Sequence, residues 1–410
     1  MPMVADVVDA VIGGDTHKDT HTLEMATPSG VPMASIVVGN DAAGGAAALA
    51  WITDHALGPR IVVGLEGTRS YGIGLARALR AAGLTVVEVE RPKRETRRGR
   101  GKSDPIDAHL AVLAVLRMHT DRLPTPRADG DREALRILLT ARAELTDTYT
   151  RQINQLRALL LTGDDTDRAI SRGRVTHDWL DRLIRRRGPG TETREQATRR
   201  AETRRLAQAI RDAHRDLTHN RDQLAAIITD LAPGLLDRPG VGPVSAAQTI
   251  VSWSHPGRCR SEAAFAALAG VNPIPASSGK TIRHRLNRGG DRHLNHALHT
   301  IALTRMRSCP RTHAYLTRRR AEGKTDRDIR RILKRYIARE LYRRLTNIEA
   351  SPRHVTRSPP IPLDARKRGA SEIGNGRITG GYQHRHRLLL IVDGRKRSSH
   401  VGWAYAVRCH

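Results

Sequence analysis

Four carboxylates and a pair of serines are the residues whose types and spacing fit phosphoryl chemistry. Asp15 stands where a first apolar run ends, Glu66 where a later one ends, and Asp104 and Asp107 open the helix after a basic loop. Ligand-binding groups in open α/β sheets gather at the carboxyl ends of strands. Asp104 and Asp107 are three apart, so on a helix they share a face, about 4.5 Å apart along the axis. Carboxylates held this close repel one another unless a cation sits between them. Two Mg²⁺ ions about 3.5–4 Å apart are the usual device for phosphoryl transfer. Taken alone, Asp104 and Asp107 read equally well as a helix cap and a first-turn acid favoured by the helix dipole. Asp15 and Glu66 end buried-looking strands, where an unpaired carboxylate is unfavourable. Asp19 and Glu24 are expected to be exposed, on the turn and the second strand.

The serines lie far downstream, in "PIPASSGKTIRHRLNRGGDRHLNHAL", where Ser277 and Ser278 meet Gly279. A hydroxyl is a poor nucleophile at neutral pH without a base, a metal or a strong field. Backbone N–H groups beside the glycine can approach phosphate, while Lys280, Arg283, Arg285 and Arg288 supply positive charge. From these residues alone, a loop that holds phosphate and a serine that attacks it both remain open. His293, His296 and His299 recur every three residues on a helix, a spacing that drifts around its surface. That pattern fits packing near phosphate better than a three-ligand zinc site.

The charge balance names the partner class. The chain has 410 residues, with 70 Lys and Arg against 42 Asp and Glu, a net charge of +28. Nearly all the cations are arginine, whose planar fork grips phosphate in two places, and an excess this large calls for a polyanion. Aromatic residues make up 3%, too few for single-strand binding by base stacking to dominate. Cys259, Cys309 and Cys409 are too widely spaced for a zinc knuckle or a disulfide framework. With no signal peptide and no long apolar run, the expected place is the cytoplasm, at the nucleoid, and no membrane partner is expected.

The elements that must position these groups follow from periodicity. Residues 1–125 read as α/β: "AVIGGDTHKDTHTLEMAT" is strand, turn and strand. "PRIVVGLEGT", "GIGLARALRAAG" and "LTVVEVE" are then strand, helix and strand, a spacing that predicts a parallel pair. The basic segment that follows carries Arg97, Arg98, Arg100 and Lys102 as candidate phosphate contacts. Residues 126–232 predict two long helices folding back as a coiled-coil hairpin, with a Gly- and Arg-rich stretch between them. Their arginine-rich faces suit a solvated dimerisation arm and a nucleic-acid backbone equally. Residues 233–348 predict a mainly helical region opened by "PGVGP". There Gly240 and Gly242 would present a helix N-terminus to phosphate, as a helix-hairpin-helix clamp does. Residues 349–410 show no core pattern and are expected to be a disordered tail.

In this order, "GGDTHKDTHTLEM", "VVGLEGTRSYG", "GKSDPIDAHLAVL", "RPGVGPVSAAQTI" and "ALAGVNPIPASSGKTIRHRLNRGGDRHLNHALH" resemble the DEDD transposases of insertion-sequence family 110, across about residues 8–348. The resemblance implies an N-terminal RuvC-like (RNase H-like) domain and a C-terminal transposase domain bearing a serine. It places the catalytic and metal-binding acids at Asp15, Glu66, Asp104 and Asp107, holding two Mg²⁺ ions. It makes Ser278 the nucleophile, with Ser277 the alternative because the serine is doubled here. The implied partners are double-stranded donor and target DNA and a structured non-coding RNA. The implied reaction is Mg²⁺-dependent strand cleavage and transfer through a serine–DNA linkage. Two other functions fit parts of the pattern: a junction-resolving nuclease whose acids and metal activate water, and a non-catalytic nucleic-acid-binding protein. Acids and serine joined by a long arm suggest a site completed between protomers, hence a dimer or tetramer.

Overall fold

The computed structural model describes residues 2–90, 104–127, 129–188, 190–255, 257–277 and 284–349. Expectations for Arg97, Arg98, Arg100, Lys102, Ser278, Lys280, Arg283 and the tail from 350 lie outside the described residues.

The N-terminal region is a mixed α/β layer. Its elements run β1 (Ala10–Thr16), β2 (Thr20–Ala26), β3 (Pro32–Gly39), α1 (Ala42–His55), β4 (Ile61–Glu66), α2 (Ile73–Ala81), β5 (Thr85–Val89) and α3 (Asp104–Leu116). The strands form one sheet in the order β3-β2-β1-β4-β5. β1, β2 and β3 are antiparallel neighbours, whereas β1, β4 and β5 run parallel.

Alternating side chains divide each strand between two apolar layers. Ala10, Ile12, Val63 and Leu65 pack with Trp51, Ile52, Leu75 and Leu79 of α1 and α2. On the opposite face, Val11, Val62, Val87 and Val89 pack with Ala111, Val112 and Val115 of α3. Two glycines let α3 come this close. A Cβ at Gly13 would lie 2.1 Å from the Ala108 carbonyl oxygen and 2.6 Å from the Val112 nitrogen. At Gly64 it would lie 2.2 Å from Val115 Cγ2. The helix therefore rests against bare backbone at the centre of the sheet.

The middle of the chain forms a helical arm. α4 (Gly130–Leu161) and α7 (Arg194–Leu231) pack along each other. Asn220 Nδ2 donates to the Leu138 carbonyl (3.0 Å), Arg142 to the Leu217 carbonyl (2.9 Å) and Arg199 to the Leu159 carbonyl (2.9 Å). Partners that rise on one helix while they fall on the other make the pair antiparallel. α7 begins at a capping box in which Thr193 and Gln196 exchange side-chain and backbone hydrogen bonds. The stretch between the long helices, expected to be a Gly- and Arg-rich connection, instead holds α5 (Asp165–Ser171) and α6 (His177–Arg185). Trp179, Leu180 and Leu183 of α6 are buried against Leu156, Leu160, Leu206 and Ile210. Three closely spaced apolar residues suffice for a short amphipathic helix once a long one offers a surface to cover.

The remaining elements are α8 (Pro243–Trp253), α9 (Glu262–Leu268), β6 (Pro273–Pro275), β7 (His284–Leu286), α10 (Arg292–Ser308), α11 (Pro310–Ala321) and α12 (Asp326–Glu349). Their core centres on Phe265, Leu298, Ile301, Ile337 and Leu341. Leu135 of α4 and Leu224 and Ile228 of α7 belong to it as well, so the arm is rooted in this core. Among the described residues, no helix is long and apolar enough to cross a membrane.

Candidate active site

Alternation fixes where the acids face. Asp15 shares its side of β1 with Val11 and Gly13, and Glu66 shares its side of β4 with Val62 and Gly64. Both therefore belong to the face that α3 covers, at the carboxyl ends of adjacent parallel strands. The pairing of these two strands ends at Gly14 opposite Leu65, one residue before each acid. On α3, Asp107 precedes Ala111 and Val115 at four-residue steps, on the stripe that meets the sheet. Asp15 and Asp107 are 6% and 5% exposed, and Glu66 is half-buried. Three of the four acids are thus placed on one layer at one end of the sheet. Asp104 opens α3 one turn further out, with its side chain outside the described atoms.

The surrounding contacts hold these ends in place. Thr16 Oγ1 donates to the Glu66 carbonyl at 2.7 Å, tying the end of β1 to the end of β4. Gly67 takes a φ of +72°, and a Cβ there would lie 2.5 Å from the same Thr16 hydroxyl. His17 Nε2 lies 3.0 Å from Asp15 Oδ2. Glu24, expected to be exposed, is buried instead, and its Oε1 lies 2.6 Å from His109 Nδ1 of α3. The reason is register: Glu24 stands opposite Gly13, and the missing side chain there leaves room for an acid to reach the helix. The bond clamps α3 to β2 two residues from Asp107. Asp19 is exposed, as its place in the turn implies.

Further residues near the strand ends carry no signal in the sequence. Glu88 of β5 is buried and receives Arg127 Nε at 2.9 Å, the Arg127 backbone N–H at 3.2 Å and a further bond from Arg127 Nη2. Burial alone would raise its pKa, but the Arg127 hydrogen bonds and the charges of Arg127 and Arg69 prevail and hold it below the ordinary glutamate value. His255, just past α8, is buried, and burial together with Arg132, Arg127 and Arg258 pushes its pKa down to about 4. His21 of β2 is likewise lowered, first by burial, although its Nε2 lies 3.0 Å from Asn40 Oδ1.

The serine segment sits between two short strands. β6 and β7 pair antiparallel, Ile274 opposite Arg285, and Ser277 follows β6 as an exposed residue. The foot of this ribbon is built from amides and glycines. Asn287 Nδ2 donates to Asn272 Oδ1 at 2.7 Å, and Asn295 Nδ2 to the Ala269 carbonyl at 2.7 Å. Gly270 has a φ of +64° and passes so near Gly290 that a Cβ on the latter would lie 2.3 Å from the Gly270 nitrogen. Arg285 and Arg288 are exposed and have no carboxylate partner among the described residues. Gly240 has a φ of +72°, and Gly242 caps α8, with its N–H bonded to Ser245 Oγ at 3.1 Å. Both line an open cavity of about 890 Å³ together with Arg142, Arg221, His293 and His296.

The donor chemistry at the acids suits a hard divalent cation such as Mg²⁺, which takes carboxylate oxygens and keeps several waters. Among the described residues no group of three His, Cys, Asp or Glu side chains forms a ready metal cage. Asp15, Glu66 and Asp107 thus share a layer without forming such a group, and the three histidines of α10 form none either.

Two family models match the chain in order. One, a transposase model of the DEDD type of IS110, covers residues 12–163, which include all four acids. The other, described as the transposase IS116/IS110/IS902 family, covers residues 233–317, which include both serines. Together they span more than half of the chain. A protein of Streptomyces coelicolor described as "Insertion element IS110 uncharacterized 43.6 kDa protein" is 32% identical over 123 residues, 29% of this chain and 30% of that protein's length.

Proposed function

We propose, from the premise that this chain belongs to the IS110 family of transposases, that it cuts and rejoins DNA strands at the ends of an insertion sequence by phosphoryl transfer. The observation that carries this reading is the shared placement of Asp15, Glu66 and Asp107, brought to one layer because Gly13 and Gly64 admit α3 against the sheet. The strand order β3-β2-β1-β4-β5, with one antiparallel and one parallel side, supports a RuvC-like (RNase H-like) domain.

In the mechanism, Asp15, Glu66, Asp104 and Asp107 would hold the divalent cations, two Mg²⁺ ions in this reading. When bound, the metal would lower the pKa of an attacking hydroxyl and neutralise charge on the phosphate. Ser278 Oγ attacks the phosphorus of a DNA phosphodiester. Its proton passes to solvent, the bond to the 3′ oxygen breaks, and that oxygen leaves as a 3′-hydroxyl. The serine is left joined to a 5′ phosphate. A 3′-hydroxyl of the partner strand then attacks this phosphorus, expels the serine oxygen and forms the new junction. The ester linkage retains the energy of the broken bond, so no nucleotide cofactor enters. Arg285 and Arg288 next to the serine loop, and Lys280 and Arg283 within it, are assigned to the phosphate. Gly240 and Gly242, with Arg97, Arg98, Arg100 and Lys102, are assigned to flanking backbone. The net charge of +28 supports donor and target DNA together with a structured RNA as partners. The long rooted arm supports assembly as a dimer or tetramer.

The test combines the protein, Mg²⁺, RNA transcribed from the DNA flanking the gene, and labelled DNA of the element's ends. A covalent protein–DNA adduct is expected on denaturing gels, lost in Ser278→Ala, with all cutting lost in Asp15→Ala and Glu66→Ala. Undiminished cutting in both Ser277→Ala and Ser278→Ala, with water-derived 5′-phosphate ends, would replace this reading with a metal-dependent junction-resolving nuclease.

A further inference from the structure

A cleft of about 760 Å³ opens beside Glu66, at the carboxyl ends of β4 and β5. The loop after β4 supplies Thr68, Arg69 and Ser70, the end of β5 supplies Glu88 and Glu90, and Arg127, Arg136 and Arg258 come from the helical region. The partners these groups already have decide which are available to a ligand. Arg127 is committed to Glu88, and Arg136 is committed to Glu133 through three hydrogen bonds of 2.6–3.0 Å. Arg69 makes only a 3.4 Å contact to Glu88, and its side chain is 57% exposed. Arg258 donates to the Ser252 carbonyl at 2.8 Å and feels the charge of Glu90, without a close ion pair among the described residues. Thr68 is 1% exposed, yet its Oγ1 has no hydrogen-bond partner among the described residues. A buried hydroxyl without a partner is unusual enough to call for one.

We propose that this cleft seats a backbone phosphate of the DNA strand being cut, held by the guanidinium groups of Arg69 and Arg258 and by a hydrogen bond from the Thr68 hydroxyl. The assignment rests on the transposase reading, because it is the adjacency to Glu66 that makes the occupant the cut strand rather than the RNA. The chemistry of the wall supports it independently. Two arginine forks and a hydroxyl donor match the acceptor-only surface of a phosphodiester. Glu66, Glu88 and Glu90 share the wall with these arginines, and with Arg127 bound to Glu88 the forks of Arg69 and Arg258 stay within reach of a ligand. Burial, then the charge of Arg127, lowers the pKa of Arg258, while Glu90 acts to raise it. The subsite would set the register of the strand while the acids act on a neighbouring phosphate, which makes these three positioning residues rather than catalytic ones.

The experiment uses the full chain with the transcribed RNA and DNA ends carrying a single uncharged methylphosphonate at successive positions around the cut. For the unaltered protein, one position close to the cut should weaken binding about tenfold, the loss of one charged contact pair. Arg69→Ala and Arg258→Ala should each weaken binding to unmodified DNA, lower the salt slope by about one and become indifferent to that methylphosphonate. Arg258→Lys should restore the slope without the full affinity, since lysine keeps the charge and loses the fork. Thr68→Val should weaken binding about threefold while raising Tm, because it removes a hydroxyl with no protein partner; a misfolded variant would lower Tm instead. The subsite is refuted if these variants keep the wild-type affinity, slope and methylphosphonate profile. Sensitivity confined to methylphosphonates in the RNA overturns the assignment to DNA. Failure of the unaltered protein to cut DNA at all refutes the transposase reading, whereas normal cutting with indifferent variants refutes only the subsite.

Discussion

Replacing Gly13 by alanine adds one methyl group and should disable the site without touching an acid. The added Cβ would stand 2.1 Å from the Ala108 carbonyl oxygen, whereas real Cβ contacts essentially never fall below 3.0 Å, so a gap of about 0.9 Å must open. The obstructing atoms are helix backbone, which cannot rotate aside as a side chain can, so α3 must lift as a body. Overpacking of this kind costs about 1–3 kcal/mol, and each kcal/mol lowers Tm by about 2–4 °C in a fold of this size. The lift also carries Asp107 away from Asp15, and a misplacement of about 1 Å is worth roughly 100-fold in rate. Gly74→Ala in α2 is the matched control, since nothing lies within 4 Å of its Cβ. There alanine is expected to stabilise by about 0.4–1 kcal/mol through the unfolded chain. Thermal melting and single-turnover cutting of labelled DNA ends read both effects. If Gly13→Ala melts and cuts like the unaltered protein, α3 is not seated on this glycine and the argument for convergence of the acids fails.

Two further predictions concern the buried charges behind the sheet. Glu88→Gln leaves Arg127 without its counter-charge, in a pair whose side chains are 7% and 11% exposed, and should cost about 3–5 kcal/mol at neutral pH. Because the folded pKa of Glu88 is lowered, its stabilisation is complete above the ordinary value of 4.5 and is lost as pH falls through the folded value. Urea midpoints of Glu88→Gln and the unaltered protein should therefore converge in that acid range, and a constant gap would contradict the assignment. His255 acts in a different window: with a folded pKa of about 4 against 6.5 unfolded, the unfolded chain binds the extra proton between those values. Stability should rise with pH across that interval by about 3 kcal/mol. His255→Gln should flatten this rise while leaving the limb below pH 4 in place, as denaturation profiles from about pH 2 to 8 would record.

The sequence was most legible where a local rule governs. The parallel pair β4–β5 and the antiparallel pair β1–β2 follow from short β-branched runs and their turns. The two long helices follow from apolar spacing sustained over many turns. The small helices α5 and α6 escaped because their apolar residues mean little until α7 offers a surface to cover. Glu24 was misread because a single acid in a strand looks solvent-facing unless one knows that its neighbour across the ladder is a glycine under a helix. Glu88, Thr68 and Arg258 were invisible for a similar reason: each gains its meaning from a partner, or the lack of one, far away in the chain.

Residue type, order and spacing alone determined the polyanionic partner class, the candidate acids and serines, and the strands and helices that carry them. These are properties of single segments and of summed charge, which need no folding to be counted. Tertiary structure decided which face Asp15, Glu66 and Asp107 share, which carboxylates are buried with a partner, and which arginines are left for a ligand. Those outcomes depend on how closely α3 can approach the sheet, a matter of missing side chains at Gly13 and Gly64 whose consequence appears only when the helix arrives.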